Sequence, residues 1–267
     1  MDGLVRPLYG EALMAKKIYI PTESHANWQR LLAKPDRHWK EGFSAMTLAR
    51  AWEAAEHTGF PPEISKMLAS VDAPELQGLS LLLAIPEFQV DLPGGNRPSQ
   101  TDVLALASGP EGLVAIAVEG KVDEPFGPTL ADKRADASDG AKERMRFLLE
   151  CLDLPDTIEG AIRYQLLHRT ASALLIAKQF YARAAVMLVQ SFSPTNKWFS
   201  DFEAFAALFK VAPRMGELVA IGSERQGVSL YIGWCCGDQR FRQQEGSNPR
   251  LQEALSRPAS SPASDGL

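Results

Sequence analysis

Residues 113–118 read Leu-Val-Ala-Ile-Ala-Val, apolar at every position, and end in Glu119-Gly120-Lys121. A strand that is apolar on both faces has to be covered on both faces, as a central strand is in a helix-flanked sheet. The rest of the chain is read around this strand. Two more strands are expected before it, at residues 88–92 and 102–107, with turn residues at 93–96 and 108–112. Ser24 is placed to cap a short helix through Leu32, and helices are expected at 44–57, 62–70 and 75–85. After the central strand come helices at 139–151 and 157–182, a strand at 184–192, a helix at 198–209 and a hairpin of 217–222 with 228–234. A further strand-like run lies at 17–20. The pattern predicts an α/β (α+β mixed) fold, a central mixed sheet flanked by helices. Residues 1–15 read as an extension, with Met14 as an alternative start, and 16–242 as a single domain. Residues 243–267, rich in Ser, Pro and Asn, read as a disordered tail.

The connection at 108–112 is short enough to favour an antiparallel hairpin. With its centre near Pro110, Asp102 falls roughly opposite Val118, beside the end of the neighbouring strand. Side chains alternate along a strand, so Glu119 and Lys121 share a face. Two carboxylates and one amine then converge. Two carboxylates at a separation of roughly 5 Å repel by about 3 kcal/mol at an effective dielectric near 20. A hard divalent cation relieves that repulsion and accepts such oxygen ligands. Gly120 would let its backbone carbonyl approach the same cation. With Mg²⁺ or Mn²⁺ held by Asp102, Glu119 and Gly120, the catalytic set is Asp102, Glu119 and Lys121, the amine assisting an attacking water or stabilising developing charge. A partly solvated ion-pair cluster without catalysis is the alternative reading of the same residues.

Asp102, followed after an interval by Glu119-Gly120-Lys121, resembles the PD-(D/E)XK signature of restriction-endonuclease-like nucleases. Further segments resemble an uncharacterised bacterial family within that superfamily: residues 17–24, Leu92-Pro93-Gly94-Gly95, residues 101–105, and above all residues 117–127. The resemblance spans residues 16–238, and Thr101 stands where the superfamily name has Pro. It implies a restriction-endonuclease-like core and a metal-dependent nuclease that hydrolyses phosphodiester bonds, with DNA as the expected substrate. The superfamily also includes members without activity, so an inactive nuclease-fold module that binds nucleic acid or protein is the alternative. A toxin or defence component, its nuclease held by a regulatory partner, is a third reading, and a homodimer is a further candidate assembly.

Supporting residues are sought nearby. The resemblance implies an added carboxylate from the first helix or first strand, for which Glu53, Glu56 and Glu87 are the candidates. Gln165 and Arg169 interrupt the apolar stripe Ile158, Ile162, Ser172, Ile176, and buried polar groups need partners. Some exonuclease-like relatives place a Gln on this helix, aimed at the site, which Gln165 would match, with Arg169 on phosphate. Lys133, Arg134, Lys142, Arg144 and Arg146 form the basic concentration expected to meet a phosphate backbone. The net charge of −5 supplies no overall basic footprint. No run approaches the roughly 18 apolar residues that span a bilayer, so no membrane is expected. The three cysteines, Cys151, Cys235 and Cys236, suit a reducing cytoplasm.

Overall fold

The computed structural model describes residue 18 and residues 24–243, apart from 96, 136, 137, 223 and 226. The extension at 1–15 and all but the first residue of the tail at 243–267 lie outside the described residues. So does the run at 17–20, except Ile18, which bridges to Ala84. In chain order the elements are a 3-10 turn His25–Leu31, α1 Pro35–His38, α2 Ser44–Ala54, α3 Pro62–Ala69, β1 Ser80–Val90, β2 Ser99–Gly109 and β3 Gly112–Lys121. There follow α4 Leu130–Ala135, α5 Asp139–Cys151, α6 Tyr164–Gln179, β4 Ala184–Ser191, α7 Phe199–Ala207, β5 Leu218–Ala220 and β6 Ser229–Cys236, then a 3-10 turn Gln239–Arg242.

The strands form one mixed sheet in the order β1-β2-β3-β4-β6-β5. β1, β2 and β3 make an antiparallel meander. β3, β4 and β6 run parallel, and β5 returns antiparallel on β6. Alternation along the central strands divides the core between two faces. Leu104 and Leu106 of β2 and Ala115 and Ala117 of β3 pack with Leu148, Leu166, Leu174 and Phe202 of α5, α6 and α7. Val103, Ala105, Val114, Ile116 and Val118 pack instead with Leu48, Trp52, Ile64 and Met67 of α2 and α3. The fold class expected from the pattern is therefore the one found. No helix among the described residues is long and apolar enough to cross a membrane.

Three boundaries depart from expectation for identifiable reasons. Residues 75–85 were expected to be helical because of their leucines. Only Pro74–Leu76 turns, as a 3-10 turn, and β1 begins at Ser80. Pairing with β2 from Ser80 to Val90 overrides the local preference. Second, α6 begins at Tyr164 and not at residue 157. The segment before it spends its backbone elsewhere: Ile162 and Gly160 carbonyls accept from Leu130 and Ala131 N–H at 2.8 and 2.9 Å. Third, α2 stops at Ala54, and the chain turns through Gly59 at φ 108°.

The loop between β1 and β2 is clamped by Arg144 of α5. Its guanidinium donates to the carbonyls of Leu92, Pro93, Gly95 and Arg97 at 2.8–3.1 Å. Gly94 has φ +75°, and a Cβ there would sit 2.2 Å from the Gly140 carbonyl oxygen. Backbone cannot yield as a side chain can, so Gly94→Ala combines left-handed strain with overpacking. It is expected to lower stability by about 2–4 kcal/mol, read as a lower urea midpoint at unchanged m-value.

Candidate active site at the end of the central strand

The hairpin is tighter than the sequence suggests. Gly109 pairs with Gly112 and Val103 with Val118, so Asp102 falls one step further on, opposite Glu119 rather than Val118. The Gly120 N–H donates to Asp102 Oδ2 at 2.8 Å, which locks the carboxylate to the strand end. On the other side of β2, Pro86 pairs with Val103 and Phe88 with Thr101, leaving Glu87 facing Asp102 outside the ladder. Glu87 has φ +53°, uncommon for a residue with a side chain, and such strain gathers at functional positions. It lies inside β1, not at its start as expected from the sequence.

Glu119 is the hub. Its Oε1 accepts from Lys121 Nζ and from Gln165 Nε2, both at 2.6 Å, and its Oε2 accepts from Arg169 Nε at 2.6 Å. Lys121 lies over the Phe126 ring at 5.0 Å, a buried wall that fixes the amine. Arg169 reaches further, donating to Ser99 Oγ at 3.0 Å and lying 3.9 Å from Asp102 Oδ1. The structure thus brings together Asp102, Glu119, Gly120, Lys121, Gln165, Arg169 and Glu87. Glu119 and Lys121 are almost closed from solvent, whereas Asp102 keeps 21% of its side chain exposed.

The charges explain the titration. Burial, then the neighbouring Glu119 charge, pushes the Asp102 carboxyl up to about 7 against the pull of Arg169, Lys121 and the Gly120 N–H. Burial and then Asp102 push Glu87 well above the usual carboxylate range. Burial would raise Glu119 too, but Lys121 and Arg169 outweigh it and hold it at about 2. For Asp102 the sign follows from a folded pKa above the unfolded value near 3.9. Its contribution to stability is full below pH 4 and is lost as pH rises through about 7. Without divalent metal, wild-type protein is expected to lose about 2–4 kcal/mol relative to Asp102→Asn between pH 4 and 8. Thermal melts of both proteins in chelator, across that range, check it; a constant gap would contradict the assignment.

Other sequence candidates fall outside the cluster. Glu53 accepts from Trp28 Nε1 at 2.6 Å, and Glu56 lies 3.2 Å from His57 beyond the end of α2. The basic run beyond β3 is consumed structurally. Arg144 clamps the loop described above, and Arg134 donates to the carbonyls of Asp156 and Ile158. Lys142 and Arg146 pair with Asp139 and Glu150, and Lys133 covers the Tyr164 ring. Gly120 has a packing reason as well as the expected one, since a Cβ there would meet Leu48 Cδ2 at 3.1 Å.

Several residues around the cluster were not singled out from the sequence. Ser99 Oγ bridges Arg169 and His168 Nδ1, the latter at 2.9 Å. Burial, then Arg169, holds His168 well below its ordinary value, so the ring is neutral and its tautomer sets the direction of the bond with Ser99. Glu124 accepts from the Ser44 N–H at 2.7 Å, capping α2 from a distance, and from the Val122 N–H. Glu124 carried a sequence signal, because it lies within the 117–127 segment. Ser99 carried none.

The donor set can be weighed against a hard cation. Among the described residues no group of three His, Cys, Asp or Glu converges as a metal cage. Mg²⁺ requires less, because one or two carboxylates with water and substrate phosphate suffice. Asp102 Oδ1 accepts no hydrogen bond from a described residue, and its carboxyl is unsettled by burial and by the Glu119 charge. Glu119 fits a cation on release of one of its three donors. A strand residue turns its N–H and C=O to the same side, so the Gly120 carbonyl faces the strand of Asp102. A family model described as a domain of unknown function (DUF6946) matches residues 21–239. No curated protein and no solved structure matches the chain.

Proposed function

The chain belongs to the DUF6946 family, a domain of unknown function, and from its site we propose a metal-dependent phosphodiesterase of nucleic acid, with DNA the first substrate class. The observation that carries the reading is the convergence of Asp102, Glu119 and Lys121 at one strand end, with Gln165 and Arg169 completing the cluster. This arrangement also supports the restriction-endonuclease-like reading of the core.

Asp102, Glu119 and the Gly120 carbonyl would hold Mg²⁺ or Mn²⁺, which when bound polarises a phosphoryl oxygen and acidifies water. The other roles belong to the chain. The Gly120 N–H fixes the Asp102 carboxylate, and Arg169 and Gln165 orient Glu119 so that its charge stays in register with Lys121. Lys121, released from Glu119 Oε1, orients the attacking water and stabilises the charge that develops on the phosphoryl oxygens. Arg169 compensates two carboxylates that burial would otherwise protonate.

One observation favours a second reading, a nuclease-fold module that binds without hydrolysis: both oxygens of Glu119 are already taken by protein donors. Incubation of the purified chain with single-stranded DNA, duplex DNA and RNA, in Mg²⁺ and in Mn²⁺, separates the two. Hydrolysis that stops with chelator is expected. Intact substrates under every combination would leave the binding reading alone.

A further inference from the structure

We propose that residues 34–40 form a basic strap across the mouth of the carboxylate site and dock the phosphate backbone of a nucleic acid. The proposal rests on the phosphodiesterase reading and adds to it the surface that recruits the substrate.

The segment is tied down at both ends. Before it, the Leu31 carbonyl accepts from Gln100 Nε2 at 3.2 Å, and the same amide donates to Glu87 Oε2 at 2.8 Å. Gln100 stands two residues before Asp102 on β2. After it, the Ser44 N–H donates to Glu124, which stands three residues beyond Lys121. One end of the segment is therefore anchored beside Glu87 and Asp102, and the other beside Lys121. Residues 34–40 are strung between those anchors.

Their chemistry is that of a phosphate contact. The segment reads Lys34-Pro35-Asp36-Arg37-His38-Trp39-Lys40, and the side chains of Lys34, Arg37, His38 and Lys40 are exposed. None of Lys34, Arg37 and Lys40 is ion-paired among the described residues, and Lys40 rests on the Phe43 ring at 5.9 Å. On α4 and α5, by contrast, Arg134 and Arg144 are held by backbone carbonyls, and Lys142 and Arg146 each stand beside a carboxylate. Burial, then Arg37 and Lys34, lowers the His38 pKa. Glu124 raises it and Lys121 lowers it again, in keeping with the strap's place beside the site. The strap then runs into an open cleft of about 750 Å³, where Glu41 and Gly42 face Arg240 and Arg242. Arg50 pins this cleft by bonding the Phe241 carbonyl at 3.3 Å and pairing with Glu41 at 3.6 Å.

A docking surface answers an electrostatic problem. The chain carries −5 overall, and Glu119 with ionised Asp102 balances Lys121 and Arg169, so the cluster itself offers a polyanion no net positive charge against the repulsion of the whole. A polyanion reaches such a site only where local positive charge outweighs that repulsion.

The test is anisotropy of a labelled oligodeoxynucleotide, single-stranded and duplex, titrated with the full chain in chelator so that no cleavage intervenes. Lys34→Ala/Arg37→Ala/Lys40→Ala is expected to raise Kd at least about 10-fold near 0.1 M salt, and to reduce the slope of log Kd against log salt by about 2–3. Lys133→Ala/Lys142→Ala/Arg146→Ala, as control, should change neither. Lys34→Arg/Lys40→Arg should keep wild-type affinity, which separates charge from folding. Equal loss in the control, unchanged binding in the strap variant, or no binding by wild type overturns the proposal. Strap-dependent binding without hydrolysis in any metal would sustain the strap and overturn the phosphodiesterase.

Discussion

Arg169→Ala is expected to lower the stability of the protein by about 3–5 kcal/mol, the range for removing one partner from a buried ion pair. The guanidinium bonds Glu119 at 2.6 Å and Ser99 at 3.0 Å, and lies 3.9 Å from Asp102. Without it Glu119 keeps Lys121 and Gln165, but Asp102 faces Glu87 and Glu119 with no adjacent guanidinium. At 2–4 °C per kcal/mol for a domain of this size, the thermal midpoint should fall by about 6–20 °C. The loss should be larger at pH 8 than at pH 5, because ionised Asp102 is the form that needs the guanidinium. Arg169→Lys should recover only part, since a point charge cannot span three acceptors as a planar fork does. A midpoint within about 2 °C of wild type would show that Arg169 is not the clamp.

Lys121→Met should have the larger effect on chemistry and the smaller on the fold. Methionine retains an apolar stem against Phe126 and removes the amine, while Arg169 and Gln165 still hold Glu119. Hydrolysis of DNA is expected to fall by about 10³-fold, with the loss in kcat and little change in KM, as for a group that acts mainly in the transition state. A variant that keeps activity within about tenfold of wild type would remove Lys121 from the reaction. Oligonucleotide affinity in chelator should be nearly unchanged, because the docking charge lies on another segment.

Much of the centre of this molecule could be read in advance, and the reasons are local. Residues 113–118 could only be a covered strand, and period two then fixed the shared face of Glu119 and Lys121. Gln165 and Arg169 could be suspected because polar residues on an apolar helical stripe need partners, and both partners proved to be Glu119. What was not legible depended on distant pairing. The leucines of residues 79–83 suit a helix until β2 lies beside them, and nothing local announces that Glu87 faces Asp102 with φ +53°. Basic residues on α4 and α5 looked available because composition does not reveal carbonyl partners. Arg144 is spent on four of them. The charges of residues 34–40 were equally visible in the sequence, but their place at the site depends on the Gln100 and Glu124 anchors.

The separation of Glu119 from its helical donors bears on the life of the chain before it is folded. Gln165 and Arg169 lie 46 and 50 residues further along, and the Ser44 anchor lies 80 residues before Glu124. Contacts across such spans form only after intervening loops have closed. A nascent chain leaving the ribosome therefore carries its Asp102 and Lys121 well before the groups that orient Glu119 have been synthesised. Any hydrolytic competence arises as a late event, when α6 docks on the sheet, and local loosening of that helix would be enough to silence it.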